Sequence, residues 1–284
     1  MKMTDEIRPL VLVMAGVDSG GGAGVTADCI TVHDNGAWAL PCVTALTAQS
    51  LQQVAAVEAT AADFLTKTLD VLLSDFKKIA AIKIGVITSA AVLEKTLCYL
   101  EGPLKGIPVV WDPVLNATAG RLESADLQAN LDRILAVTTV FTPNFPEALE
   151  LSGFDRQKVK SEGMAGLGRF FLDRGATAVL IKGGHVSDAD DATDVFISSA
   201  GGIALHSPKC KGDGAHGGGC ALSSATAAYI ARGFSLDDAV FRAKAYVYRG
   251  IVEPDLPYNS YRPPVGHHGE VMDELYLPQV EKLF

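Results

Sequence analysis

Hydrophobic positions change period along this chain, and the changes mark out its elements. Residues 10–15 form an unbroken apolar run, the pattern of a strand buried on both faces. Between 64 and 76 the apolar residues Leu65, Leu69, Leu72, Leu73 and Phe76 fall on one side of a helix. Further apolar runs predict strands at 79–84, 107–111, 137–141 and 176–181, and a helix over 88–100. Strands separated by helices predict an α/β fold with a mostly parallel central sheet and helices on both faces. Two pairs break the alternation. Segments 42–48 and 53–59 are β-rich with no helix between them, and 194–197 and 203–205 meet around Gly201-Gly202. Both pairs read as small hairpins at the sheet edge.

The end of the chain turns helical. Residues 220–232 are alanine-rich and stop at Gly233, and Ser235 with Asp238 resembles a capping box for another helix. Leu236, Val240, Ala243 and Val247 share the buried face of that helix. Past Pro254 the composition shifts to Tyr, Pro, Gly and the pair His267-His268, which predicts a tail lying along the surface.

Composition narrows the function classes. The 284 residues, 48% hydrophobic, predict one domain over 1–284 with a divergent tail from about 254. A net charge of −9 argues against a nucleic-acid partner. No apolar run approaches the roughly 18–20 residues that span a membrane, and the early run at 10–17 lacks the layout of a signal peptide. The five cysteines show no CxxC pairing, so a reducing cytoplasm is the expected location.

In open parallel sheets, ligands bind beyond the carboxyl ends of the strands. The residues after each predicted strand therefore carry the candidate chemistry. Gly16-Val17-Asp18-Ser19-Gly20-Gly21-Gly22-Ala23-Gly24 follows the first strand and enters a helical pattern containing Asp28. It suits a ligand loop or a tight turn, and it fits neither the dinucleotide fingerprint nor the P-loop. Asp112-Pro113-Val114 suits a hydrated magnesium ion or a helix cap. In Thr142-Pro143-Asn144-Phe145-Pro146-Glu147, Asn144 and Glu147 can cap the next helix or make water-mediated magnesium and phosphate contacts. Lys182-Gly183-Gly184-His185 offers a point charge for phosphate or a lysine turned outward. Finally, His216-Gly217-Gly218-Gly219-Cys220 runs into a helix. Its free N–H groups and the helix dipole make an anion site, and a cysteine there is expected to have a lowered pKa. The plainer readings are a small buried hydrophobe for Cys220 and a hydrogen-bonded turn residue for His216.

Taken in order, these segments, with Thr44-Ala45-Leu46-Thr47-Ala48-Gln49 and Lys83-Ile84-Gly85, resemble the hydroxymethylpyrimidine/phosphomethylpyrimidine kinases of thiamine biosynthesis. That family lies within the ribokinase-like superfamily, and the resemblance runs from about residue 10 to 250. It implies a ribokinase-like fold and transfer of phosphate from ATP, with Mg2+, to the hydroxymethyl group of a 4-amino-2-methylpyrimidine. Many members then phosphorylate the monophosphate as well. By the same resemblance Gly16, Asp28 and Gln49 hold the pyrimidine, with Val86 and Val114 lining its pocket. Asp112 and Glu147 organise magnesium through water, while Asn144 and Lys182 contact ATP phosphates. The amides around Gly217, Gly218, Gly219 and Cys220 stabilise the transferred phosphoryl, and Cys220 stands where the superfamily usually has an aspartate base. The resemblance also implies a homodimer.

This chain departs from the family pattern at three places. The family writes the last motif Thr-His-Gly-Thr-Gly-Cys, and here Ala215 and Gly218 replace both threonines. Val86 replaces a methionine common in the pyrimidine pocket. Two other functions stay open at this level: a pyridoxal or pyridoxine kinase, whose substrate ring also carries a hydroxymethyl group, and a degenerate paralogue that binds pyrimidine or nucleotide without turnover.

Overall fold

The computed structural model describes residues 7–117, 120–121, 125–184, 191–210, 215–256, 263–271 and 273–284. His185 and the tail segment 257–262 lie outside the described residues. The chain opens with β1 (Leu10–Val17), α1 (Gly24–Asp34), β2 (Trp38–Gln49), β3 (Val54–Ala59), α2 (Ala62–Asp75), β4 (Ile79–Ile84), α3 (Ala90–Glu101) and β5 (Val109–Trp111). A short ribbon, β6 (Asn116–Ala117) with β7 (Gly120–Arg121), precedes α4 (Leu131–Ala136), β8 (Val140–Phe141), α5 (Phe145–Ser152), α6 (Arg156–Asp173) and β9 (Ala178–Ile181). Then come β10 (Asp191–Ser198), β11 (Gly201–Pro208), α7 (Gly218–Ala231), α8 (Leu236–Val252) and β12 (Gln279–Lys282).

Ten of these strands build one sheet in the order β12-β11-β10-β9-β8-β5-β4-β1-β2-β3. The middle of it, from β9 to β2, is parallel throughout. The expected hairpins flank that middle as antiparallel pairs, β2 with β3 and β10 with β11. Successive residues of β1 point to opposite faces, and both faces are apolar. Leu12 and Met14 join a core closed by α2, α3 and α6, whereas Val11, Val13 and Ala15 join one closed by α1, α7 and α8. A strand buried on both faces has to be continuously hydrophobic, which is why 10–15 carries no alternation.

Two expectations change. The strands at 107–111, 137–141 and 176–181 are shorter than predicted, because Ile107 is held in a turn by Leu104, Val137 caps α4 and the Ala176 N–H bonds back to Phe171 O. The tail does more than lie along the surface. Val265, Val271 and Tyr276 are buried in the second core, and β12 pairs antiparallel with β11, so the β10–β11 hairpin is not the sheet edge. β11 would otherwise present an open row of backbone donors and acceptors. The alternation of residues 279–282 is too weak to announce a strand.

Candidate active site

The carboxyl ends of the parallel strands share one rim, and a cleft of about 720 Å³ opens along it. That volume lies within the range of small-molecule sites. The candidates gather there with one exception. Gly16 is the last residue but one of β1, Gln49 ends β2, and Val86 and Val114 follow β4 and β5, four neighbouring strands on one side of the sheet; all four residues line the cleft. Gly16 packs closely on Val86, whose Cγ1 would have to shift to admit a Cβ, which would stand 2.7 Å from it. Gln49 is half-buried, with its backbone N–H bonded to Ser19 Oγ at 3.0 Å.

Asp28 is the exception and a correction. It is fully buried on the inner face of α1 and does not line the cleft. Its Oδ2 accepts from Lys83 Nζ at 2.6 Å and its Oδ1 from Ser224 Oγ at 2.7 Å, so both oxygens are engaged inside the protein. Lys83 is the member of this pair that reaches the cleft. Burial alone would depress its ammonium, but the adjoining Asp28 carboxylate reverses the effect and holds it above its usual range. A lysine inside the apolar run of β4 was the signal in the sequence for this pair.

Further along the rim, Asp112, Asn144, Glu147 and Lys182 line the middle of the cleft. Asn144 and Glu147 form a full capping box on α5, with Asn144 Oδ1 accepting from the Glu147 N–H at 2.9 Å and Glu147 Oε2 accepting from the Asn144 N–H at 2.8 Å. The cap aims Glu147 at the cleft, where it is 5% exposed. Burial first, and the charge of Asp112 in addition, push its carboxyl up to about 7, although Lys182 works against the shift. Lys182 Nζ lies 2.5 Å from Asp112 Oδ1. Burial alone would lower the lysine, and the two carboxylates beside it raise it instead.

The N-terminus of α7 closes the site. Gly217 adopts a φ of +79°, and a Cβ there would stand 1.9 Å from the carbonyl oxygen of Gly22. A Cβ on Gly219 would stand 3.0 Å from Lys182 Nζ. The first turn of α7 thus approaches Lys182 and Asp112 through backbone alone, with Gly218 open to the cleft beside them. Free N–H groups at a helix N-terminus, a lysine and two carboxylates are groups that can hold an anion with a cation beside it. Cys220 lines the same wall. The expected lowering of its pKa is overturned, since desolvation pushes the thiol up to about 11 despite the pull of Lys83 and the Gly24 N–H.

Two pairs escaped the sequence reading. His216 Nε2 meets Asp18 Oδ2 at 2.8 Å, and Lys244 Nζ meets Asp194 Oδ2 at 2.8 Å, with all four residues lining the cleft. Lys244 sits between Ala243 and Val247 on the buried face of α8, and a charge in that stripe was its only signal.

A parallel α/β sheet whose strand ends present a lysine, paired carboxylates and an amide cradle defines a phosphotransferase of ribokinase-like fold. Its relatives agree. A family model described as phosphomethylpyrimidine kinase matches residues 18–266. The chain is 35% identical over 263 residues to a hydroxymethylpyrimidine/phosphomethylpyrimidine kinase of Rhizobium meliloti (strain 1021), covering 91% of this chain and 96% of that one. The solved pyridoxal kinase of Staphylococcus aureus in complex with AMP-PCP and pyridoxal superposes with a TM-score of 0.82 at 28% identity, covering 98% of this chain and 99% of that one. The phosphomethylpyrimidine kinase of Clostridium difficile 630 gives a TM-score of 0.72 at 29% identity over 87% and 99% of the two chains. This chain belongs to the phosphomethylpyrimidine kinase family.

Proposed function

We propose that this protein uses ATP to phosphorylate the hydroxymethyl group of 4-amino-5-hydroxymethyl-2-methylpyrimidine, and then the resulting monophosphate, in thiamine biosynthesis. The observation that carries this reading is the approach of Gly219 to Lys182 and Asp112 at the mouth of α7. That approach supports reading the α7 amides and Lys182 as the cradle and cation for the transferred phosphoryl. The pyrimidine occupies the end lined by Gly16, Gln49, Val86 and Val114, and the Gln49 amide both donates to and accepts from an aminopyrimidine edge. Asn144 and Lys182 take the phosphates of ATP.

The carboxylates fit Mg2+. Burial first, and the charge of Asp112 in addition, raise Glu147, and a divalent cation held by these two carboxylates would favour its ionised form. Two carboxylates are too few for an all-protein cage, which suits an ion that keeps most of its waters and shares phosphate oxygens. When bound, the ion neutralises charge building on the phosphates. The chain's own groups do the rest. Amides of Gly217, Gly218, Gly219 and Cys220 stabilise the phosphoryl oxygens, and Cys220 in its thiolate form accepts the hydroxyl proton. We place the enzyme in the cytoplasm, where its five free cysteines stay reduced, and as a homodimer.

The close superposition with a pyridoxal kinase favours a second reading, in which pyridoxal is the acceptor. One experiment separates the two: ATP consumption with the aminopyrimidine, its monophosphate and pyridoxal assayed side by side. Turnover of the first two over pyridoxal supports the proposal, and preference for pyridoxal overturns it. Gln49→Leu should weaken pyrimidine binding by about 1–3 kcal/mol per unpaired group and leave ATP affinity near wild type.

A further inference from the structure

Asp18 and His216 lie 198 positions apart and meet side chain to side chain at 2.8 Å in the wall of the cleft. Both are buried, with His216 only 1% exposed. Each belongs to a loop with its own part in the site. Asp18 sits in the glycine loop after β1, and its Oδ1 accepts from the Gly20 N–H at 2.8 Å. The next residue, Ser19, donates to Thr47 O at 2.5 Å and accepts from the Gln49 N–H. That loop therefore holds the end of β2 from which Gln49 reaches the pyrimidine end of the cleft. His216 directly precedes Gly217, the N-cap of α7, and so begins the amide cradle. Its backbone is itself held by the tail, with its N–H on Pro263 O at 2.9 Å and its carbonyl on the Val265 N–H at 3.2 Å.

The two loops touch along their backbones as well. A Cβ on Gly22 would stand 2.5 Å from His216 Cδ2, and one on Gly217 would stand 1.9 Å from Gly22 O. The two loops are therefore packed directly against each other. The other ring nitrogen, Nδ1, is buried with no hydrogen-bond partner among the described residues. An unpaired buried nitrogen is costly, so the imidazole is placed here for the contact that its Nε2 makes.

We infer that Asp18 and His216 are positioning residues that couple the two ends of the cleft: pyrimidine binding at Gln49 sets the amide cradle for nucleotide through the Ser19–Asp18–His216–Gly217 connection. The inference rests on the functional reading above and adds a property to it, which is that the two ligands bind with mutual reinforcement. Coupling of this kind is reciprocal, so each ligand must change the affinity of the other by the same factor.

The test is calorimetric titration of ADP with Mg2+, with and without saturating 4-amino-5-hydroxymethyl-2-methylpyrimidine, and the converse titration. Wild type should show a reinforcement of about fivefold or more, equal in both directions. His216→Leu should bring that factor to about one while each ligand alone still binds. His216→Gln, whose amide can still donate to Asp18, should restore most of it. Asp18→Ala reads the same connection from the other loop should His216→Leu fail to fold. Independent binding in wild type, or a wild-type factor in His216→Leu or Asp18→Ala, overturns the inference. Failure of wild type to bind either ligand would overturn the kinase reading and this inference with it, an outcome distinct from binding without coupling.

Discussion

Lys182 Nζ and Asp112 Oδ1 lie 2.5 Å apart at the mouth of α7, so the lysine in the cleft is already neutralised by a carboxylate. The pair is nearly buried, and the Coulombic attraction is correspondingly strong. A phosphate arriving without a metal ion must compete with Asp112 for the lysine. One arriving with a divalent cation offers Asp112 a substitute partner. On the function proposed above, the pair would bias the site towards metal-complexed nucleotide.

Asp112→Asn should separate these effects. The amide keeps an acceptor for Lys182 but removes the competing charge. Breaking a buried pair costs about 3–5 kcal/mol, so the Tm of the variant without added ligand should fall. ADP in the presence of chelator should then raise that Tm by more than it raises the wild-type value, while Mg2+-dependent turnover is lost. Equal stabilisation by metal-free ADP in both proteins would contradict the argument.

Glu147 makes a pH prediction for the metal-free protein. Its carboxyl is raised from 4.5 to about 7, chiefly by burial. Between those values the folded protein holds a proton that the unfolded chain has released. The stabilisation is complete below about pH 4.5 and is lost as pH rises through about 7. Glu147→Gln stays neutral and still completes the capping box with Asn144. The denaturation midpoint of the variant should therefore exceed that of wild type at pH 8 and approach it at pH 5, as urea titrations at the two values will show.

Adjacent glycines of the cradle should respond in opposite ways. Gly217 combines a φ of +79° with a 1.9 Å approach to Gly22 O, so Gly217→Ala should unseat both loops and abolish turnover. At Gly218 a Cβ would meet only Val247 Cγ1 at 3.9 Å and Val265 Cγ2 at 4.0 Å. Gly218→Thr should fold normally and bind ATP more tightly than wild type, because a hydroxyl joins the cradle. Thermal melts and nucleotide titrations of the two variants test the contrast.

Cys220 is a thiol at neutral pH, its pKa raised by desolvation to about 11. Its alkylation by iodoacetamide should therefore be slow at pH 7.5 and accelerate about tenfold per pH unit on the way to 11. If its thiolate takes the substrate proton, kcat should climb with pH over the neutral range. Cys220→Ala should lower kcat by about 10²-fold and flatten that climb, with nucleotide affinity unchanged. A Cys220→Ala variant with wild-type kcat would leave the chemistry to the amides alone.

Much of the fold was legible because it depends on local pattern. The apolar run at 10–15 had to be a strand covered on both faces, and the spacing of Leu65, Leu69 and Leu72 had to put one side of α2 on the sheet. Ser235 and Gly233 marked helix ends through chemistry confined to a few neighbouring residues. The site candidates were legible for a related reason. Strand ends share a rim in any parallel sheet, so Gly16, Asp112, Asn144 and Lys182 were bound to come together once the strands were found.

What sequence alone determined about this protein is therefore the identity of its elements and the rim on which its polar residues collect. Tertiary structure decided the state of those residues. Asp28 turned inward to Lys83 and Ser224 rather than towards the cleft, because the inner face of α1 lies on the buried side of the sheet. Cys220 remained a thiol because desolvation outweighs the helix terminus that its sequence position announced. His216 found Asp18, and residues 279–282 found the open edge of β11, across separations that no local pattern records. Hydrophobic period is written in adjacent residues, whereas burial and charge pairing depend on which distant groups the fold brings within a few ångströms.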